Sequence, residues 1–216
     1  MAEFEVTITV ETPIHLGSGQ ADVNVDAEII HDALGFPYFP AKRFKGLLYE
    51  SAVEIFEMFE LAGISTEKLA PPEEIFHRES DDAGKVSDVQ LIVHDFYLKD
   101  YAKLRADWSY LQKEFPALFE PTDILNAYTS IRYQTKLENG VAFDHSLHNM
   151  RVLNSGTEFV GTLTLLNGDA KVLKTLALAL KNISNAGTKR NRGFGRISCR
   201  AENLPNVEKF LAKEAR

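Results

Sequence analysis

The chain reads as an α+β protein with a ferredoxin-like arrangement, strand, helix, strand, strand, helix, strand, carrying long insertions and a projecting β-hairpin. Three observations predict it. Phe4, Val6, Ile8 and Val10 alternate with Glu3, Glu5, Thr7, Thr9 and Glu11, the period of two of a half-buried strand. Two later segments, 41–62 and 169–183, place apolar residues at helical spacing. Residues 127–166 are rich in strand formers and are broken by turn signals at Asn139-Gly140 and Asn154-Ser155-Gly156.

In chain order, the first strand is followed by a polar stretch, 15–24, in which Gly17 and Gly19 mark a loop. Residues 25–31 are expected to form a short strand. Gly35-Phe36-Pro37-Tyr38-Phe39-Pro40 is a stiff segment that Pro40 ends just before a helix start. In the helix at 41–62, Phe44, Leu47, Leu48, Ile55, Phe56 and Phe59 make one apolar face. Residues 65–84 are polar and acidic around Pro71-Pro72 and read as a surface excursion. They form the acidic first part of an insertion expected at 63–122 within a single domain, 1–216. Residues 86–98 are expected to be strand-like. A second helix at 101–115 puts Leu104, Trp108 and Leu111 on one side and is stopped by Pro116. The β-rich region gives strands at 128–137, 146–153 and 158–166. A periodic helix at 169–183 runs through Val172, Leu173, Leu176, Leu180 and Ile183. A glycine-rich loop, a last strand at 196–200 and a short charged helix at 207–215 complete the chain.

At 216 residues, 44% of them hydrophobic, the chain has apolar content enough for a core. Its longest apolar run, 176–180, is far too short to cross a bilayer, and the N-terminus lacks the layout of a signal peptide. A soluble cytoplasmic protein is expected. A single cysteine, Cys199, excludes an intramolecular disulfide and a multi-cysteine zinc site. The net charge of −7 argues against a polyanionic partner only until its distribution is read. Residues 54–82 hold nine acids against two bases, the whole of the excess, so the rest of the chain is neutral. Residues 183–201 hold five Lys or Arg and no acid. Such a body can bind a polyanion on one face with its acidic segment turned away.

The cationic stretch centres on Gly187-Thr188-Lys189-Arg190-Asn191-Arg192-Gly193-Phe194-Gly195-Arg196. Glycines let backbone N–H groups approach an anion closely, and guanidinium groups add bidentate contacts to phosphate oxygens. Gly187, Lys189, Arg190, Arg192, Gly193 and Gly195 are therefore expected to hold a phosphate chain. Lys42, Arg43 and Lys45 open the first long helix, where cations oppose the helix dipole unless an anion lies nearby. They are a second expected contact.

Three segments together resemble the RAMP superfamily of CRISPR effector proteins: Thr12-Pro13-Ile14-His15-Leu16-Gly17-Ser18-Gly19, the block from Gly35-Phe36-Pro37-Tyr38-Phe39-Pro40 through Ala41-Lys42-Arg43-Phe44-Lys45-Gly46, and the loop from Gly187 to Gly195. A fourth runs from Ile131-Arg132-Tyr133-Gln134 through Ala142-Phe143-Asp144-His145-Ser146-Leu147 to Gly156-Thr157-Glu158-Phe159 and resembles the hairpin thumb of backbone-type members. The resemblance implies a modified RNA-recognition-motif fold in a type III-like effector complex of antiviral defence. CRISPR RNA, target RNA and other effector subunits are the implied partners, with no membrane. It adds Arg132 of the hairpin to the implied RNA contacts. Family members usually carry small hydroxyl residues before Lys-Gly at the helix start, where this chain has Lys42-Arg43-Phe44.

In type III backbone subunits of this family a loop aspartate after the first strand supports metal-dependent cleavage of target RNA. Asp26-Ala27-Glu28-Ile29-Ile30-His31-Asp32, ahead of Gly35, puts that aspartate at Asp26, with Mg²⁺ as the implied ion and no intrinsic cofactor or protein-held metal. Three readings stay open. One is an RNA-binding subunit that cleaves target RNA through Asp26. The second is a stand-alone, metal-independent endoribonuclease that processes CRISPR RNA with His15 or His31 as base. The third is a purely architectural RNA-binding subunit. No second acid–base group lies at a fixed spacing from His15, which favours a structural role, and His31-Asp32 reads as a turn. Phe143 and Leu147 suit a wedge between bases or a patch for the next subunit.

Overall fold

A computed structural model describes residues 1–76, 88–205 and Val207. The expected helix beyond Val207 and the part of the acidic excursion at 77–84 lie outside the described residues. β1 (Ala2–Val10) leads through a long loop to α1 (Ala41–Leu61), followed by α2 (Pro72–Phe76), β2 (Gln90–Val93) and β3 (Tyr97–Leu98). Then come α3 (Tyr101–Glu114), α4 (Pro121–Tyr128), β4 (Thr129–Gln134), β5 (Leu137–Glu138), β6 (Val141–Ala142), β7 (His148–Leu153) and β8 (Glu158–Leu166). α5 (Ala170–Asn182) and β9 (Ile197–Ala201) close the described fold.

The principal sheet has the order β2–β8–β1–β9, with β3 also on β8 and every neighbouring pair antiparallel. β1 occupies its centre because its alternation is strict: Phe4, Val6, Ile8 and Val10 are buried, while Glu3 and Glu5 face solvent. α1 and α5 cover the apolar face together. The buried residues of α1 are Phe44, Leu48, Ser51, Ala52, Ile55 and Phe59, a single helical stripe. Ser51 Oγ donates to the Ala179 carbonyl of α5 at 2.8 Å, so small residues set the closeness of the two helices. Asp169 caps α5 by accepting from the N–H groups of Lys171 and Val172, at 2.8 and 2.9 Å.

The rest of the described β structure is a second ribbon, buried at its base and exposed at its tip. β4 pairs with β7, and β5 pairs with β6 at the tip. Asn139 and Gly140 turn the tip with φ of 52° and 82°, the two positive values that a tight right-twisted hairpin turn requires. The hairpin expected from sequence is therefore present, with shorter strands. Its first strand starts later, because Pro121 opens α4 and Asp123 accepts the Glu120 N–H at 2.8 Å.

Two expectations need correction. Residues 25–31 form no strand; the isolated bridges Gly17 to Ile29 and Asp22 to Val25 mark a loop. Its backbone leans on β7, where the Arg151 N–H donates to the Ala27 carbonyl at 3.0 Å. Residues 88–98 are not one strand but β2 and β3, because Phe96 turns away and exchanges both backbone hydrogen bonds with Phe39, at 2.8 and 2.9 Å. Gly161 on β8 makes room for the Phe96 ring, since a Cβ there would fall 2.5 Å from its Cδ1. The detour completes an aromatic cluster of Phe39, Phe44, Phe96 and Phe159 under the start of α1. Each buried ring of this kind is worth about 1.5–3 kcal/mol, enough to outweigh a broken strand ladder.

Candidate nucleic-acid interface

Three segments far apart in sequence meet at the N-terminal end of α1. His15, Leu16 and Gly17, the first turns of α1, and Gly187, Thr188 and Arg190 line an open cleft of about 310 Å³. Lys42, Arg43, Gly46, Leu47 and Glu50 line it from α1, spaced so as to share one helix face. Phe39 also lines it, tying the cleft to the aromatic cluster below. Pro40 precedes the helix in extended backbone and makes no side-chain cap, and the first turn carries no acid. Among the described residues, a carboxylate takes the Ala41 N–H alone, Asp95 Oδ1 at 2.7 Å. The helix end therefore keeps a positive potential beside its own cations.

The glycines of the loop serve close packing. Gly187 has φ of 76°, and a Cβ there would lie 2.6 Å from the His15 carbonyl oxygen; at Gly195, φ 81°, it would lie 2.1 Å from that of Ala186. Gly193 also has a positive φ, 80°, but nothing lies within 4 Å of where its Cβ would be. The loop is strapped to the Thr12–His15 stretch: Gly195 N–H donates to Pro13 at 2.9 Å, Arg196 N–H to Thr12 Oγ1 at 2.9 Å, and Thr188 N–H to His15 at 3.3 Å. The N–H groups of Thr188, Gly195 and Arg196 are spent on this strap and that of Arg192 on the Lys189 carbonyl, while the cationic side chains of the loop reach outward to grip an anion.

The cations divide into two sets. Lys42, Arg43 and Arg190 face the cleft. Arg43 donates to the Gly17 carbonyl, and Arg190 lies 3.7 Å from Glu50, with both side chains about half exposed. Such a surface pair is worth about 0–1 kcal/mol and yields readily to a phosphate. Lys189 instead donates to Gln134 on β4 and lies 3.5 Å from His148 Nε2, fastening the loop to the base of the hairpin. Burial, reinforced by Arg192, lowers the Lys189 pKa. Arg192 and Arg132 are exposed, Arg132 on β4 opposite Met150. Lys45 turns off the cleft face and donates to the Leu91 carbonyl of β2 at 3.1 Å.

Asp26 is exposed and does not line the cleft. Its N–H donates to Asn149 Oδ1 and its Oδ2 accepts the Asn149 N–H, both at 2.8 Å, which clamps it to the start of β7. Two residues further on, Glu28 forms a buried ion pair with Arg151 at 3.0 Å. Arg151 also donates to Asn126 Oδ1 at 2.8 Å and Thr129 Oγ1 at 3.0 Å, and its carbonyl accepts His15 Nδ1–H at 2.7 Å. Sequence reasoning missed this pair. Its signal was Arg151 flanked by Met150, Val152 and Leu153 in a strand buried on both faces.

His31 and Asp32 form the turn read from the sequence. Asp32 Oδ1 accepts the N–H groups of Leu34 and Phe36, both at 2.9 Å, and Oδ2 accepts the Tyr101 hydroxyl at 2.6 Å. Burial first and this bond second push the Tyr101 hydroxyl up to about 12. Phe39 belongs to the core, whereas Tyr38 is half-buried and stacks on Tyr97. Among the described residues no three His, Cys, Asp or Glu side chains come together as a metal cage, and no helix is long and apolar enough to cross a membrane.

No curated protein sequence matches this one. Among solved structures, a chain of the Type III-B Cmr-beta complex bound to cognate target RNA superposes with a TM-score of 0.64 at 13% identity, covering 93% of this chain and 97% of that one. A chain of the same kind of complex in its apo state gives 0.63 at 14% identity with the same coverages. At these identities the likeness is one of fold: mixed α+β with antiparallel sheets. The RAMP superfamily profile matches residues 7–198, which run from the second half of β1 into β9 and take in the cleft and the glycine loop. The chain belongs to the RAMP superfamily.

Proposed function

We propose that the chain binds CRISPR RNA as a subunit of a type III-like effector complex in antiviral defence. The observation that carries this reading is the convergence of His15–Gly17, the start of α1 and the glycine loop on one cationic cleft, although the chain as a whole is acidic. Lys42, Arg43 and Arg190 take successive phosphates there, and Arg192 and Arg132 extend the path toward the hairpin. The sheet order β2–β8–β1–β9, with α1 and α5 on one face, supports a ferredoxin-like, modified RNA-recognition-motif fold. One structural neighbour is itself a complex bound to target RNA. Other effector subunits are the protein partners in this reading, and the exposed Leu137, Val141, Phe143 and Leu147 of the hairpin are a surface for them or for bases.

Target cleavage through Asp26 is the second part of the proposal. Asp26 presents one exposed carboxylate with Oδ2 already engaged by Asn149, so it suits Mg²⁺ only with RNA phosphate oxygens as further ligands. A bound Mg²⁺ would neutralise charge at the scissile phosphate. Asn149 holds the carboxylate in place, and the Glu28–Arg151 pair fixes the loop behind it.

The test is reconstitution with guide RNA and complementary target, comparing wild type with Asp26→Ala, with and without Mg²⁺. Both proteins should bind guide equally, and only the wild type with Mg²⁺ should cut target. Absence of guide binding overturns the whole proposal. Equal cutting by Asp26→Ala, or none by either, overturns the cleavage part.

A further inference from the structure

We infer that the cleft reads a ribose 2′-hydroxyl through His15 Nε2 and so distinguishes RNA from DNA; this rests on the RNA-binding reading above. The His15 ring is 7% exposed, and its Nδ1 lies 2.7 Å from the Arg151 carbonyl oxygen. A carbonyl only accepts, so Nδ1 carries a proton, and in the tautomer this fixes Nε2 is the acceptor. The ring is fixed from behind, because Arg151 is itself held by Glu28, Asn126 and Thr129. Nε2 has no hydrogen-bond partner among the described residues. Nor is it sealed from solvent: the one fully buried side-chain nitrogen or oxygen without a partner there is Trp108 Nε1. It lies against Gly17, where a Cβ would come within 2.6 Å of it, and both residues line the cleft.

An acceptor at this place is chemically informative. Lys42, Arg43 and Arg190 are donors suited to phosphate, and the exposed carboxylate of Glu50 sits among those cations, 3.7 Å from Arg190. Nε2 of the neutral ring has nothing to offer a phosphate, which also only accepts. Its partner is a donor carried on the same strand close to the phosphate. The 2′-hydroxyl fits this description, whereas base amines lie further from the backbone.

The test uses the full chain and two single strands of one sequence, RNA and its 2′-fluoro analogue, in which fluorine keeps the sugar pucker but donates no hydrogen bond. Wild type should bind RNA roughly two- to tenfold more tightly, the span of one net hydrogen bond. His15→Phe should bind both strands alike. Gly17→Ala, whose Cβ falls on Nε2 at a position with no positive φ, should do the same and serves where the Phe variant fails to fold. Equal wild-type affinities with a steep salt dependence overturn the hydroxyl contact and leave RNA binding intact. A preference that survives in a folded variant also overturns it, and no binding to either strand overturns both readings.

Discussion

Replacing Arg151 with Met isolates the most consequential buried interaction in the protein. The substitution keeps an unbranched side chain of useful volume but removes three hydrogen bonds, to Glu28, Asn126 and Thr129. Glu28 is left 7% exposed with only its bond from the Ile29 N–H, 2.8 Å. Removing one partner of such a pair costs about 3–5 kcal/mol, mostly the desolvation of the charge left behind. At about 2–4 °C per kcal/mol for a chain of this size, Tm should fall by roughly 6–20 °C. Glu28→Leu added to Arg151→Met removes the stranded charge, so the double variant should be more stable than Arg151→Met alone, with a coupling of at least about 2 kcal/mol. Urea unfolding of wild type, both single variants and the double variant measures the cycle. A cost below about 1 kcal/mol for Arg151→Met, or additive single effects, would refute the reasoning.

Other outcomes follow from the same geometry. Gly195→Ala should destabilise by about 3 kcal/mol or more, because positive φ combines with backbone that cannot yield, whereas Gly193→Ala should cost about 1 kcal/mol; thermal melts that rank them equally would contradict this. Lys42→Ala should weaken RNA binding several-fold and Lys45→Ala should leave it nearly unchanged, since only Lys42 faces the cleft. Burial pushes the Cys199 thiol up to about 12, so thiolate is scarce at pH 8; native protein should react with iodoacetamide far more slowly than urea-unfolded protein, and equal rates would disprove the burial.

What the sequence discloses follows local physics. Strict alternation in β1 and the apolar periodicity of α1 and α5 are properties of consecutive residues, and they are legible. The isolated short helices α2 and α4 were not, because five and eight residues offer too little period. Residues 25–31 have the composition of a strand, yet Glu28 is drawn inward by a partner 123 positions away. Lys45 illustrates a signal present but unused: cleft residues on α1 recur at 42, 43, 46, 47 and 50, and 45 falls off that face. The cationic loop was legible as charge, but the work of Gly187 and Gly195 was not, since it depends on carbonyls brought up by the fold.

The salt dependence of RNA affinity tests the central claim most directly. For single strands, log K falls against log salt with a slope of about 0.7 per phosphate contact, so Lys42→Ala with Arg190→Ala should make the slope shallower by about 1.4. Both side chains are exposed, so this double variant should keep its fold. The cleft account predicts that loss of slope together with weaker binding at low salt. A double variant that melts like wild type and keeps the wild-type slope would place the RNA elsewhere on the molecule.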